Sequence, residues 1–257
     1  TTQFETANRC RQRIVRVCNA AKVAGTFKGE NPAEGVQEGL ADVNHKPTLR
    51  DSLEYHLAPQ VFQWLESREG TANLCHQFIM LTALRYDEAR YLKWDRVKTD
   101  ENGRRYLDLT EEDAKEDARC TYLSEPAERI LDKLEGLAPD LVFPSTVATK
   151  GRERRAVGVE LSTNALYRGR NKVRDQLGLP HFVPHGHRTT VREFAKQHGA
   201  SWEVCEAVMG HAVGNDTYRR YGRRHYMTQT KPYLDLWANY LLGQATEAKV
   251  VPLHVGA

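Results

Sequence analysis

The sequence lacks most features that mark secreted, membrane-spanning or metal-binding proteins. It has only five cysteines in 257 residues. They are odd in number and form no CxxC pair, which argues against a disulfide framework and a zinc site and favours reduced thiols. No apolar run approaches the roughly 20 residues that a membrane-spanning helix needs, and no signal peptide opens the chain. These absences predict a cytoplasmic globular protein with no membrane partner and no bound metal.

Charge of one sign is also scarce, since the net charge is only +3. The basic residues are nevertheless grouped, in the first helix, near positions 150 and 170, and around Tyr221. One such group is most simply a solvated surface, but several together favour contact with a phosphate backbone. The candidate DNA-contacting residues are Arg9, Arg13, Lys150, Arg152, Arg154, Arg168, Arg170 and Arg220.

The apolar pattern predicts an α+β fold that is mainly helical, with one small antiparallel sheet. Helices are expected at 163–177, 186–198 and 202–209, and a last helix is expected from Pro232. Strands are expected at 97–109, around the turn Glu101-Asn102-Gly103, and at 119–123. A loop at 26–47 predicts a linker, so we divide the chain into residues 1–47 and 48–257. Because the chain opens on Thr1, we expect it to be a piece of a longer protein.

Four short segments carry groups that could act on a phosphodiester. His185 and Arg188 lie three residues apart at the predicted start of a helix, where both side chains can share one face and an anion is favoured. A guanidinium there can hold a phosphate with two parallel hydrogen bonds. A surface histidine and a structural arginine are the alternative for this segment on its own.

The second segment ends an apolar helix with Arg85, one turn before Glu88. A half-buried arginine needs a carboxylate or an anionic ligand, so Glu88 is a candidate orienting partner, and a plain local ion pair is the alternative. The third is Lys115, on a loop beside the sheet, which could donate a proton to a leaving oxygen. Arg119 is the fallback for that role.

The fourth segment is Gly210-His211, followed ten residues later by Tyr221. A phenol with a pKa near 10 is a poor nucleophile at neutral pH, but neighbouring cations favour the phenolate. Tyr221 is flanked by arginines, which makes it the candidate nucleophile. Tyr218 and Tyr226 are the nearby rivals.

Taken in order, these segments resemble the conserved boxes of the tyrosine recombinase (phage integrase) family. The similar segments are TALRYDE at 82–88, HGHRTTVREF at 185–194 and MGHAVGNDTYRRY at 209–221. NRCRQRI at 8–14 and GENP at 29–32 resemble the end of that family's helical core-binding domain. The closest likeness is to integrases of prophages and integrative elements. The resemblance implies the end of a core-binding domain in 1–47 and a catalytic domain in 48–257.

The resemblance also implies a mechanism and a set of roles. By position, the phosphate pocket would comprise Arg85, Lys115, His185, Arg188 and His211, and Tyr221 would be the nucleophile. The enzyme would cleave and rejoin DNA through a 3′-phosphotyrosyl bond, with no cofactor, metal or ATP, to integrate or excise a mobile element. Its partners would be double-stranded attachment sites, further copies of itself in a tetramer, and an accessory DNA-bending or directionality protein, in the bacterial nucleoid.

Three other functions stay open at this point. A metal-dependent phosphohydrolase could use His185 and His187 as ligands, although residues two apart share a face on a strand and not on a helix. A type IB topoisomerase would share the tyrosine chemistry. A DNA-binding protein without catalysis could keep the shape alone, although all six chemical groups are present.

The last helix carries one further expectation. Trp237 and Leu241 lie on one of its sides, and we expect that side to dock on a neighbouring protomer. Deleting the residues after Lys231 would then impair assembly and leave the folding of the monomer intact.

Overall fold

The computed structural model of the chain describes residues 2–36, 51–114, 118–146, 158–211, 213 and 223–244. The chain divides into two compact units, Thr1–Leu49 and Arg50–Ala257. The first contains helix α1, Thr2–Val23. Asn31 is buried in this unit, and its side-chain amide donates to the carbonyl of Val15 at 3.2 Å and to Asn19 Oδ1 at 3.0 Å. That the first unit is the end of a core-binding domain stays a prediction.

The second unit is mainly helical, as the sequence predicts. Its described helices are α2 Ala58–Glu66, α3 Thr71–Thr82, α4 Tyr86–Arg90, α5 Glu125–Leu134, α6 Ala165–Leu177, α7 Gly186–Gln197, α8 Trp202–Val208 and α9 Arg223–Leu241. Short 3₁₀ turns lie at Tyr55–Leu57 and Trp94–Arg96. The core is built from buried apolar residues of α2, α3, α5, α7 and α9.

The sheet has three antiparallel strands in the order β1, Val97–Thr99, then β2, Arg105–Leu109, then β3, Arg119–Tyr122. The predicted turn closes the first hairpin, where Gly103 adopts a φ of +76° that suits glycine. The Asp100 carboxylate fixes this turn, because it accepts from the backbone N–H groups of Asn102 and Arg104 at 2.9 Å each. Strand β3, which begins at Arg119, is an edge strand of this sheet.

The last helix differs from the expectation in two ways. It begins at Arg223 and contains Pro232 in its interior, so the missing proline N–H does not end it. Trp237 and Leu241 are 1% and 0% exposed, and Trp237 Nε1 donates to the Met80 carbonyl at 2.7 Å. The side expected to dock on another protomer is therefore packed in the core of its own chain, where it covers apolar residues of the other helices. We therefore expect deletion of the residues after Lys231 to destabilise the folded monomer.

Candidate functional site

Two helix ends meet at the predicted site. Ala83, which has a left-handed φ of +53°, is the C-cap of helix α3, and Met209 is the C-cap of helix α8. The Arg188 guanidinium joins them, because Nη1 donates to the Ala83 carbonyl at 2.7 Å and Nη2 donates to the Met209 carbonyl. The last carbonyls of a helix have no partner within it and carry a partial negative charge, which a guanidinium satisfies. The two carbonyls that Arg188 contacts therefore belong to residues two positions before Arg85 and two positions before His211.

Helix α7 holds Arg188 in this position by packing closely against the segment at 51–53. A Cβ on Gly186 would lie 2.5 Å from the Asp51 carbonyl oxygen, so only glycine allows this approach. The Thr190 hydroxyl donates to the Leu53 carbonyl at 2.6 Å. His185 precedes the helix and is half-buried. The sequence placed His185 and Arg188 at a helix start, and the structure agrees.

Arg85 and Glu88 form the predicted pair. Arg85 Nη1 donates to Glu88 Oε1 at 2.7 Å, and the Arg85 backbone N–H donates to Glu88 Oε2 at 2.8 Å. Arg85 is 7% exposed and Glu88 is 4% exposed. Burial acts to raise the pKa of Glu88, but the charge of Arg119 and the hydrogen bonds from Arg85 outweigh burial, so that the pKa lies below its usual value. The Arg85 guanidinium is therefore held against a carboxylate that stays ionised.

Arg119, the fallback proton donor of the sequence analysis, instead makes buried contacts with two backbone carbonyls and a carboxylate. It is 5% exposed, and burial is the main reason why the pKa of its guanidinium is lowered. Its Nη2 donates to the carbonyls of Thr82 at 3.3 Å and Val208 at 3.5 Å, and Nη1 lies 3.7 Å from Glu88 Oε2. A buried guanidinium that makes these contacts is unsuited to giving a proton to a leaving oxygen, since arginine does not deprotonate in proteins.

His211 is oriented by a carboxylate that the sequence analysis missed. Its Nδ1 lies 2.7 Å from Glu206 Oε2, and Glu206 Oε1 accepts from Arg192 Nε at 3.0 Å. Burial acts to raise the pKa of Glu206, yet the hydrogen bonds from His211 and Arg192 bring it below its usual value. An ionised partner fixes a proton on Nδ1 and turns Nε2 outward. A carboxylate five residues before the histidine was the available signal.

Several candidates lie outside the described residues. Lys115, Tyr221 and the rival Tyr218 are among them, as are the basic candidates Lys150, Arg152, Arg154 and Arg220. The other rival, Tyr226, lies in α9. The structure therefore brings together Arg85, Arg188 and His211, with His185 at the start of the helix that carries Arg188, while the roles of Tyr221 as nucleophile and of Lys115 as proton donor remain predictions.

The described basic candidates separate into two groups. Arg9, Arg13 and Arg168 are exposed, and their contact with DNA stays a prediction. Arg170 corrects an expectation, because it is 7% exposed and its Nη1 donates to the Phe182 carbonyl at 2.8 Å and lies 3.2 Å from His181 Nδ1. The Arg170 guanidinium bonds the loop that leads to His185 and does not face solvent. Arg170 lies on the same buried face of α6 as Leu166 and Val173.

His187 lies in the core, where its ring contacts another histidine. It is 1% exposed, and its Nε2 lies 2.8 Å from Nε2 of the fully buried His76. The helix turns this ring inward while His185 stays at the helix start, so the two histidines do not form a ligand pair. Among the described residues, no group of three or more histidines, cysteines or acidic residues could hold a metal ion.

Two further sequence expectations can be compared with the described residues. All five cysteines are free thiols, as expected from their number and spacing. None of the described helices is both long and apolar enough to cross a membrane.

Comparison with known proteins identifies the fold and the family. Prophage integrase IntA of Escherichia coli (strain K12) is 24% identical over 98% of this chain, which spans 58% of that relative's length. A crystal structure of a lambda integrase dimer bound to a COC′ core site has a TM-score of 0.53 and 19% identity, over 79% of this chain and 70% of that one.

A second solved structure, the XerH site-specific recombinase bound to difH substrate, has a TM-score of 0.50 and 20% identity, over 73% of this chain and 55% of that one. These likenesses show a tyrosine-recombinase catalytic fold with a small antiparallel sheet. The model of the phage integrase family matches residues 53–227. Because that match covers more than half of the sequence and contains all three boxes, this protein belongs to the phage integrase family.

Proposed function

We propose that the protein is a site-specific DNA recombinase that integrates or excises a mobile element by cleaving and rejoining DNA. The observation that carries this proposal is the convergence of Arg85, Arg188 and His211, from three separate segments of the chain, on the two helix ends described above. Two cations and an imidazole in one place suit a phosphodiester whose oxygens gain charge in the transition state. The likeness to integrases and recombinases supports the same chemistry.

In the proposed reaction, the Tyr221 phenolate attacks the DNA phosphorus, forms a 3′-phosphotyrosyl bond and breaks the bond to the 5′ oxygen. Lys115 gives that oxygen its proton, and His185 assists the proton transfer. Rejoining reverses these steps, since the energy of the phosphodiester is kept in the link to the protein. The reaction therefore needs neither ATP nor a metal ion, unlike the phosphohydrolase alternative.

The phosphate contacts are proposed for Arg85, Arg188 and His211. Arg188 is 1% exposed and Arg85 is 7% exposed. We therefore propose that a bound phosphate takes the place of part of the protein that covers these groups. The exposed Arg9, Arg13 and Arg168 would hold the flanking backbone.

The proposed partners are double-stranded attachment sites and further copies of the chain. A crystal structure of a lambda integrase tetramer bound to a Holliday junction has a TM-score of 0.51 and 15% identity with this chain, and a tetramer on DNA is our proposal for this protein too. An accessory DNA-bending or directionality protein and action in the bacterial nucleoid complete the proposal.

A covalent-adduct assay tests the proposed function. Nicked duplexes made from the junctions of the genomic element that carries the gene would be incubated with the protein in excess EDTA. We expect a protein–DNA adduct on a denaturing gel, and no adduct with Tyr221→Phe. Tyr218→Phe, as the matched control, should keep the adduct. Loss of the adduct in EDTA would favour the metal-dependent alternative, and relaxation of supercoils without strand exchange would favour a topoisomerase.

A further inference from the structure

Arg119 contacts the first sequence box at Thr82 and Glu88, and it contacts the end of the helix that precedes the third box at Val208. Its guanidinium bonds the Thr82 carbonyl at the end of α3, lies beside the Glu88 carboxylate, and bonds the Val208 carbonyl at the end of α8. It also donates to Thr121 Oγ1, its neighbour on β3, at 3.0 Å. One side chain thus links the sheet to the two helix ends that carry Arg85 and His211.

A second arginine makes the same kind of bridge one residue further along each helix end. Arg119 bonds the carbonyls of Thr82 and Val208, and Arg188 bonds those of Ala83 and Met209. Two positive charges therefore lie between two helix C-termini, whose carbonyl dipoles favour cations. The spacing between the helix ends is fixed at two points.

Gly210 shows how closely Arg119 approaches the third box. The φ of Gly210 is +63°, and a Cβ built on it would lie 2.6 Å from Arg119 Nη1. A side chain at this position would therefore collide with the guanidinium. The turn that precedes His211 is shaped around Arg119, and a shift of one would move the other.

The buried position of Arg119 is costly for folding. Nε and Nη1 are buried and have no hydrogen-bond partner among the described residues, although Nη1 is near Glu88. A buried ion pair with incomplete hydrogen bonds adds little to stability compared with an apolar side chain of similar size. The presence of Arg119 is better explained by the electrostatics of the site. Its charge is the largest of the effects that lower the pKa of Glu88 and keep this carboxylate ionised.

We propose that Arg119 is a positioning residue that orients Arg85 through Glu88 and sets the helix ends carrying Arg85 and His211 at the separation that a phosphate requires. The inference rests on the proposed function, because it concerns the transition state of that reaction. Arg119 does not touch the DNA in this proposal. Its effect reaches the phosphate through the Arg85 guanidinium, which donates to Glu88 at 2.7 Å.

The test compares two substrates that differ only in charge at the scissile position. One is a nicked duplex with the natural phosphodiester, and the other carries a methylphosphonate, in which a methyl group replaces one charged oxygen. The uncharged substrate needs less stabilisation by cations. A variant whose defect is misplaced positive charge should therefore lose more rate on the phosphodiester than on the methylphosphonate, whereas a generally weakened fold slows both equally.

Single-turnover cleavage would be measured for Arg119→Met, with Arg85→Ala as the reference for a lost cation. We expect Arg119→Met to slow cleavage of the phosphodiester by about 10²-fold, the order found when one transition-state donor is lost, and to slow the methylphosphonate far less. Arg85→Ala should show the same pattern. Arg119→Lys, which keeps the charge but not the fork that spans several acceptors, should be intermediate.

Arg90→Met is the matched control. Arg90 is 8% exposed and its Nη1 donates at 2.8 Å to the carbonyl of Leu161, which lies outside every helix and strand and outside the three boxes, so it is a buried arginine that bonds a backbone carbonyl of another segment. Its loss should change cleavage of both substrates by the same factor. Folding of each variant would be checked by circular dichroism before cleavage is measured.

Each outcome decides between the two proposals. Equal loss on both substrates for a folded Arg119→Met, or no loss on either, overturns the positioning role and leaves the proposed function intact. If Arg119→Met and Arg119→Lys both fail to fold, Arg119 is a folding residue and the positioning role is also overturned. If the unaltered protein cleaves neither substrate, the proposed function fails and the inference fails with it.

Discussion

The buried histidine pair predicts that the second unit loses stability in mild acid. His76 and His187 lie on α3 and α7 with their Nε2 atoms 2.8 Å apart. One nitrogen must donate and the other must accept, so the contact requires at least one neutral ring. Burial, with the nearby charge of Arg170, lowers the pKa of His76 from 6.5 to about 4. Burial and the neighbouring His76 lower the pKa of His187 well below 6.5.

The sign follows from comparing the folded and unfolded chains. Above pH 6.5 both histidines are neutral in either state, and the stability is at its full value. As the pH falls below 6.5, both histidines bind protons in the unfolded chain but stay neutral in the folded chain, so the free energy of unfolding decreases. Each pKa unit corresponds to about 1.4 kcal/mol, so the displacement of His76 alone accounts for a loss of about 3 kcal/mol by pH 4. His187 acts in the same direction.

Urea unfolding between about pH 7 and about pH 4.5 would measure this loss. All four tryptophans lie in the second unit, so their fluorescence reports on that unit. This range also separates the histidines from Glu88 and Glu206, whose lowered pKa values place their effects at more acidic pH. The double variant His76→Leu with His187→Leu should lose the pH dependence, whatever its stability at neutral pH.

His56→Gln is the matched control, because the His56 side chain is 58% exposed and should leave the slope unchanged. A free energy of unfolding that stays constant over this pH range in the unaltered protein would refute the reasoning. So would a double variant that keeps the slope of the unaltered protein, since the protons would then bind elsewhere.

Two further predictions concern packing. Trp237→Ala should lower the free energy of unfolding by about 3–5 kcal/mol, because Trp237 is buried and bonds the Met80 carbonyl. Thermal denaturation would measure this loss. A loss under about 1 kcal/mol would show that α9 does not pack there. Gly186→Ala should cost about 1–3 kcal/mol, because the new Cβ would meet the Asp51 carbonyl. Gly169→Ala, in helix α6 with no atom closer than 3.9 Å, should be neutral or stabilising, and equal effects at the two glycines would contradict the close approach.

The local elements were predictable because their signals lie within a few residues. The turn at Gly103 follows from a conformation that glycine adopts readily, and the helix at Gly186–Gln197 follows from its apolar spacing. The Arg85–Glu88 pair was predictable for the same reason, since three residues separate a helix start from its carboxylate. The failure at Trp237 has a long-range cause. Burial in a core depends on partners such as Met80, more than 150 positions away.

The sequence by itself determined the chemical groups available to this protein: two arginines, two histidines, a lysine and a tyrosine in the order of a phage integrase, and the helices near which they lie. Only the tertiary structure decided which groups meet. It brought Arg119 from the sheet between two helix ends, gave His211 its Glu206 partner and buried Arg170 and His187. The physical reason is that helix spacing sets which residues share a face, whereas desolvation and long-range packing decide which of them lie together.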